Sequence, residues 1–103
     1  MPFLFENNAH MFAVLDSDIG NQYRSDFEAA GFHLLGYFTF GVRHIMTTSK
    51  PINTITDLNG LKIRTMESKP HLDSFKAFGA SPLPMAYSEL YTGLETGIID
   101  GAE

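Results

Sequence analysis

From residue 61 onward the chain alternates short apolar runs with helix signals, and this alternation constrains the fold more than any other feature. "LKIRTM" (61–66) reads as a strand. Ser68 opens a helix through "HLDSFKAF", where Leu72 and Phe75 share a face, and Gly79 closes it. "SPLPM" (81–85) is extended, and its two prolines confine it to a sheet edge or a loop. Ser88 caps a further helix, "ELYTGLET", which packs Leu90, Tyr91 and Leu94 and stops at Gly97; "IIDG" is a last short strand. The order β-α-β-α-β is that of an α/β sheet.

Upstream, "DIGNQYRSDFEAAG" (18–31) places Ile19, Tyr23, Phe27 and Ala30 at helical spacing, with Gly31 as a left-handed stop. "NNAHMFAVLD" predicts a shorter helix with Met11, Phe12 and Leu15 inward. "FHLLGYFTFGVRHIMTT" (32–48) is aromatic and β-branched, which predicts one long strand or two strands broken by bulges at Gly36 and Gly41. In "KPINTITDLNG", Thr54 with Asp57 three residues on resembles a capping box on a short helical turn that ends at Gly60.

At 103 residues there is room for one small domain. With 44% hydrophobic and 18% charged residues the chain is globular material. Seven basic residues against twelve acidic ones give −5, and the basic residues are scattered, so nucleic acid and anionic membranes have little support as partners. A bound anion must therefore be held by local donors against an unfavourable net charge. The absence of cysteine excludes disulfides, thiolate metal sites and cysteine nucleophiles. No apolar run approaches the length of a membrane span, and "MPFLFENNAH" lacks the basic and apolar regions of a signal peptide.

Arg64 is the residue that asks for an explanation, because a charge inside a sheet is expensive unless it is paired. It stands near the carboxyl end of its strand, where open α/β sheets hold ligands and where the helix starting at Ser68 points its N-terminus. A carboxylate there meets a planar fork of donors. The competing reading pairs Arg64 with an internal acid such as Glu67 or Asp100. Arg43 in "FGVRHIM" invites the same two readings, with plain surface exposure as its alternative. Tyr87 either floors a pocket with its ring or is a core tyrosine. His10, His33, His44 and His71 lack metal-ligand spacing, and no nucleophile elbow, phosphate loop or metal motif is present. Glu89, Glu95, Asp100 and Glu103 could form an acid/base pair, but no spacing selects two of them. No catalytic residue, metal or cofactor is therefore assigned.

The ordered combination "GLKIRTMES…FKAFGASPLPMAYSELYTGLETGIIDGAE", with "GVRHIMTTSKPINTITDLNG" and "AAGFHLLGY" upstream, resembles the solute-binding proteins of tripartite ATP-independent periplasmic (TRAP) transporters, the DctP type. The likeness runs over the whole chain. It implies part of a periplasmic-binding-protein type II-like clamshell: a β-α-β-α-β lobe with a long crossing strand, incomplete because the family's N-terminal lobe and C-terminal helices are missing. Residues 1–31 then form a helical segment near the hinge and 32–103 the substrate-binding lobe. The implied function is extracytoplasmic capture of a small organic acid (a carboxylate, dicarboxylate or sugar acid) for delivery to a membrane permease, without enzymatic turnover. The resemblance assigns the substrate carboxylate to Arg64, a second contact to Arg43 and a pocket-lining ring to Tyr87. The family usually continues past "DGxE" into an asparagine that contacts substrate, whereas this sequence stops at Glu103.

Two other readings follow from the same residues. A truncated chain exposes the faces of Phe3, Leu4, Phe5, Phe38 and Phe40, so it self-associates and binds no ligand tightly. The less favoured one is an acid/base enzyme that uses Asp100 and Glu89.

Overall fold

The computed structural model describes residues 4–103; Phe3, one of the apolar residues expected to be exposed, lies outside them. The chain divides into two compact units between Gly41 and Val42.

The first unit is helical. Helix α1 (Asn8–Leu15) begins where the Asn7 side chain accepts the His10 N–H at 2.9 Å, and α2 (Asp18–Ala29) begins where Ser17 accepts the Ile19 N–H. Asp18 in the first turn of α2 complements the helix dipole. The end of α2 follows from Gly31, whose φ of 86° lets the Phe32 N–H reach the Phe27 carbonyl at 2.9 Å while its own N–H bonds Glu28. The Phe27 and Phe32 rings then meet edge-on, the apolar contact that accompanies this cap. Gly20 is buried where a side chain could not fit, since a Cβ there would stand 1.7 Å from the Leu15 carbonyl oxygen. Residues 32–41 belong to this unit, with the Tyr37 hydroxyl donating to the Gly20 carbonyl at 3.1 Å.

The second unit, 42–103, carries a four-stranded sheet among the described residues, in the order β1-β4-β2-β3. Its strands are β1 (Met46–Thr47), β2 (Lys62–Thr65), β3 (Ser81–Pro84) and β4 (Gly101–Ala102). β2 runs parallel to both β3 and β4, and β1 is antiparallel to β4. Helix α3 (Lys69–Ala77) connects β2 to β3. A 3₁₀ turn (Tyr87–Glu89) and α4 (Leu90–Glu95) connect β3 to β4. The β-α-β-α-β order is therefore present, and β3 with its two prolines is an edge strand, where a missing N–H is harmless.

The core lies on one side of β2, where Leu58, Ile63, Phe75 and Ala80 pack with Ile45, Ile52, Leu61 and Phe78 at its margin. Ile63 is fully enclosed, and apolar surface removed from water in this way contributes about 25 cal/mol per Å². Leu58 is delivered by a 3₁₀ turn (Ile55–Leu58), which starts where the Asp57 carboxylate reaches back to the Thr54 N–H at 2.8 Å.

Several expectations are corrected. The long strand over 32–48 is absent: only Met46 and Thr47 pair, with Ala102 and Gly101. Aromatic and β-branched side chains favour an extended backbone, but a strand exists only where a neighbour takes its hydrogen bonds, and β4 reaches two residues. Ile19, Tyr23 and Phe27 keep their helical spacing, yet each is exposed, as is Tyr91. Ser88 does not cap α4; it sits inside the preceding 3₁₀ turn and makes no capping hydrogen bond. The last strand begins at Gly101, with Ile98 to Asp100 leading into it. Leu4, Phe38 and Phe40 are exposed as expected, while Phe5 is half-buried.

Candidate functional site

Because β2, β3 and β4 are parallel, their carboxyl ends share one edge of the sheet, where α/β folds place ligands. Arg64 comes from β2 and pairs in register with Leu83 and Ala102. Met85 and Tyr87 follow β3, and Glu103 follows β4.

Arg64 is only 7% exposed. Its Nε donates to the Met85 carbonyl at 2.9 Å, and its guanidinium carbon lies 5.9 Å from the centre of the Tyr87 ring. The two terminal nitrogens take no protein hydrogen bond among the described residues, and neither is sealed from solvent. No described carboxylate forms an ion pair with Arg64. The alternative partners are accounted for: the Asp100 carboxylate accepts the Lys62 N–H at 2.8 Å, and Glu67 is exposed. The guanidinium is thus largely enclosed, with acceptors for its two terminal nitrogens to be found outside the described residues.

Arg43 is engaged. Its Nε donates to Glu103 Oε2 at 2.5 Å, with the Arg43 side chain half-exposed and that of Glu103 3% exposed. The second carboxylate oxygen of Glu103 accepts the Met66 N–H at 3.3 Å, and the Glu103 N–H donates to the Arg64 carbonyl. Glu103 thus hooks β4 to the end of β2 and brings Arg43 to the same edge as Arg64. Burial opposes ionisation of Glu103. The hydrogen bonds from Arg43 and the Met66 N–H, with the charges of Arg43 and His71, outweigh it and hold the carboxyl below its ordinary range.

Tyr87 is 79% exposed, so it is not a core tyrosine, and its hydroxyl takes no protein partner among the described residues. Of the histidines, His71 is half-buried with Nδ1 3.2 Å from the Ser68 hydroxyl, and His33 lies 3.7 Å from Glu28 on the surface. Among the described residues no three His, Asp or Glu side chains converge as a metal would require. Reasoning from the sequence missed the Met85 carbonyl and the part played by Glu103. A backbone carbonyl leaves no residue-type signal, and Glu103 meets Arg43 across sixty positions.

The sequence and the fold are similar to those of known proteins. The chain is 43% identical over its whole length to the 2,3-diketo-L-gulonate-binding periplasmic protein of Escherichia coli K12, of which it spans 31%. A TRAP periplasmic solute binding protein from Polaromonas sp. JS666, solved bound to D-erythronate, superposes with a TM-score of 0.87 at 41% identity. Another, from Xanthobacter autotrophicus Py2 with bound β-D-galacturonate, gives 0.84 at 40% identity. Each superposition covers 99% of this chain and 34% of the other, so the chain spans about a third of its relatives' length. The family description "DctP: Bacterial extracellular solute-binding protein, family 7" matches residues 1–103. A mixed α/β sheet, a match from end to end and close superposition agree: this chain belongs to the DctP family of bacterial extracellular solute-binding proteins.

Proposed function

We propose that the chain forms the carboxylate-gripping part of a TRAP-type extracytoplasmic solute receptor, with Arg64 as the anchor for a small organic acid. The observation that carries this reading is the guanidinium of Arg64: nearly buried, held at Nε by the Met85 carbonyl, and without an acid partner among the described residues. Relatives bound to D-erythronate and β-D-galacturonate support a hydroxy- or sugar acid as the class of ligand. Each hydrogen bond to a charged group contributes about 1.5–3 kcal/mol, whereas micromolar affinity needs about 8 kcal/mol. Arg64 is an anchor and further contacts complete the site; Arg43 is the proposed second contact, and the exposed Tyr87 ring is proposed to line the pocket beside Arg64. Binding without turnover is supported by the matched relatives, which are named as solute-binding proteins. Delivery to a membrane permease on the periplasmic side follows for the receptor as a whole.

The test is calorimetric titration and thermal shift with D-galacturonate, D-erythronate and succinate. A saturable rise in melting temperature that disappears in Arg64→Ala and weakens in Arg64→Lys is expected, since lysine offers a point charge in place of a fork. A cooperatively melting chain that responds to none of these acids overturns the proposal.

A second reading concerns the apolar stretch of the helical unit. Leu35, Phe38 and Phe40 are each more than three-quarters exposed. Surface of this kind recruits a partner, and self-association of the chain is proposed. Sedimentation at micromolar concentration tests it, and a monomer there argues against it.

A further inference from the structure

Resting on the acid-binding reading, we infer that Tyr87 is a positioning residue for Arg64, and that the Met85 carbonyl leaves one edge of the guanidinium for the acid. A guanidinium has two edges that can take a carboxylate in a bidentate manner, the Nε/Nη side and the Nη1/Nη2 end. The Nε–H of Arg64 is already given to the Met85 carbonyl at 2.9 Å, which occupies the side edge. The guanidinium carbon stands over the Tyr87 ring, 5.9 Å from its centre. What remains is the end edge, Nη1 with Nη2, the two nitrogens without a protein partner among the described residues. The acid is therefore received end-on.

The same geometry says which part of Tyr87 matters. Its hydroxyl takes no protein hydrogen bond among the described residues, so the ring face acts and the phenol oxygen is dispensable. Met85 and Tyr87 both lie just after β3, two residues apart, so one short segment holds the guanidinium at its Nε edge and sets an aromatic ring beside it. The ring is largely exposed, so exchanging it disturbs no core.

The decisive measurement is the NMR signal of the Arg64 Nε–H in the ligand-free chain. The geometry predicts a resolved signal protected from solvent exchange, unchanged in Tyr87→Phe and shifted with faster exchange in Tyr87→Leu. A Tyr87→Leu chain that keeps the wild-type shift and exchange rate overturns the inference. This readout needs no ligand, so a failure of the wild type to bind any of D-galacturonate, D-erythronate and succinate refutes the acid-binding reading separately. Where the wild type binds, Tyr87→Leu weakens affinity about two- to fivefold, as loss of a solvent-exposed cation–π contact implies, and Tyr87→Phe does not. The Tyr87→Leu loss shrinks when Arg64 is already lysine. Losses that simply add would mean that the ring acts on the ligand independently of Arg64, and the positioning role falls.

Discussion

Arg43 and Glu103 stand sixty positions apart in the chain, yet the Nε of one donates to Oε2 of the other at 2.5 Å. The carboxylate is enclosed and also accepts the Met66 N–H, so its removal leaves two donors unanswered. Glu103→Ala is expected to lower unfolding free energy by about 1–3 kcal/mol. Glu103→Gln, which keeps an oxygen for the Met66 N–H, should lose less. Urea denaturation of the two variants checks the order; an alanine variant as stable as wild type would make the pair ornamental.

The same carboxylate sets an acid limit. Its folded-state pKa lies below the ordinary 4.5, because Arg43, the Met66 N–H and the charge of His71 outweigh burial. A depressed carboxyl contributes stability that is fully present above pH 4.5 and lost as pH falls through the lower folded value. Asp57, held by the backbone N–H groups of Thr54 and Asn53, and Asp73, held by Lys69, shift the same way and add to the acid arm. Thermal melts from pH 7 downward should show a wild-type advantage over Glu103→Gln that is constant above pH 4.5 and closes below it. An advantage that widens in acid would contradict the assignment.

Arg64→Met separates binding from folding. The substitution removes the Met85 hydrogen bond and the ring contact, but also a nearly buried charge without an acid partner among the described residues. These effects oppose one another, so stability should change by less than about 1 kcal/mol while the thermal response to acids disappears. A loss above about 3 kcal/mol, of the size that follows from breaking a buried pair, would assign Arg64 to the scaffold.

Thr65, next in β2, is fully buried and its hydroxyl has no hydrogen-bond partner among the described residues. An unmade hydrogen bond in an enclosed site is unfavourable, and valine has nearly the same shape. Thr65→Val is expected to stabilise the chain by about 1 kcal/mol. A destabilised valine variant in chemical denaturation would mean that the hydroxyl has an acceptor in solution.

What the sequence determined by itself lies within a few residues of each signal. Gly31 ends α2, Asp57 reaches back to Thr54, and the prolines of 81–85 place β3 at an edge, because a cap, a turn or a missing N–H is settled by near neighbours. The same locality put Arg64 near the end of a strand and made it the candidate. Tertiary structure decided the rest. The stretch 32–48 has the composition of a strand, yet only Met46 and Thr47 became one, because backbone pairing needs a partner that composition cannot supply. Arg64 was known to need an acceptor, but that its Nε is taken by a carbonyl 21 positions away follows from β2 and β3 lying side by side. Glu103, one acid among several in the sequence, became the mooring of Arg43 because parallel pairing of β4 with β2 carries it to the edge where Arg64 stands.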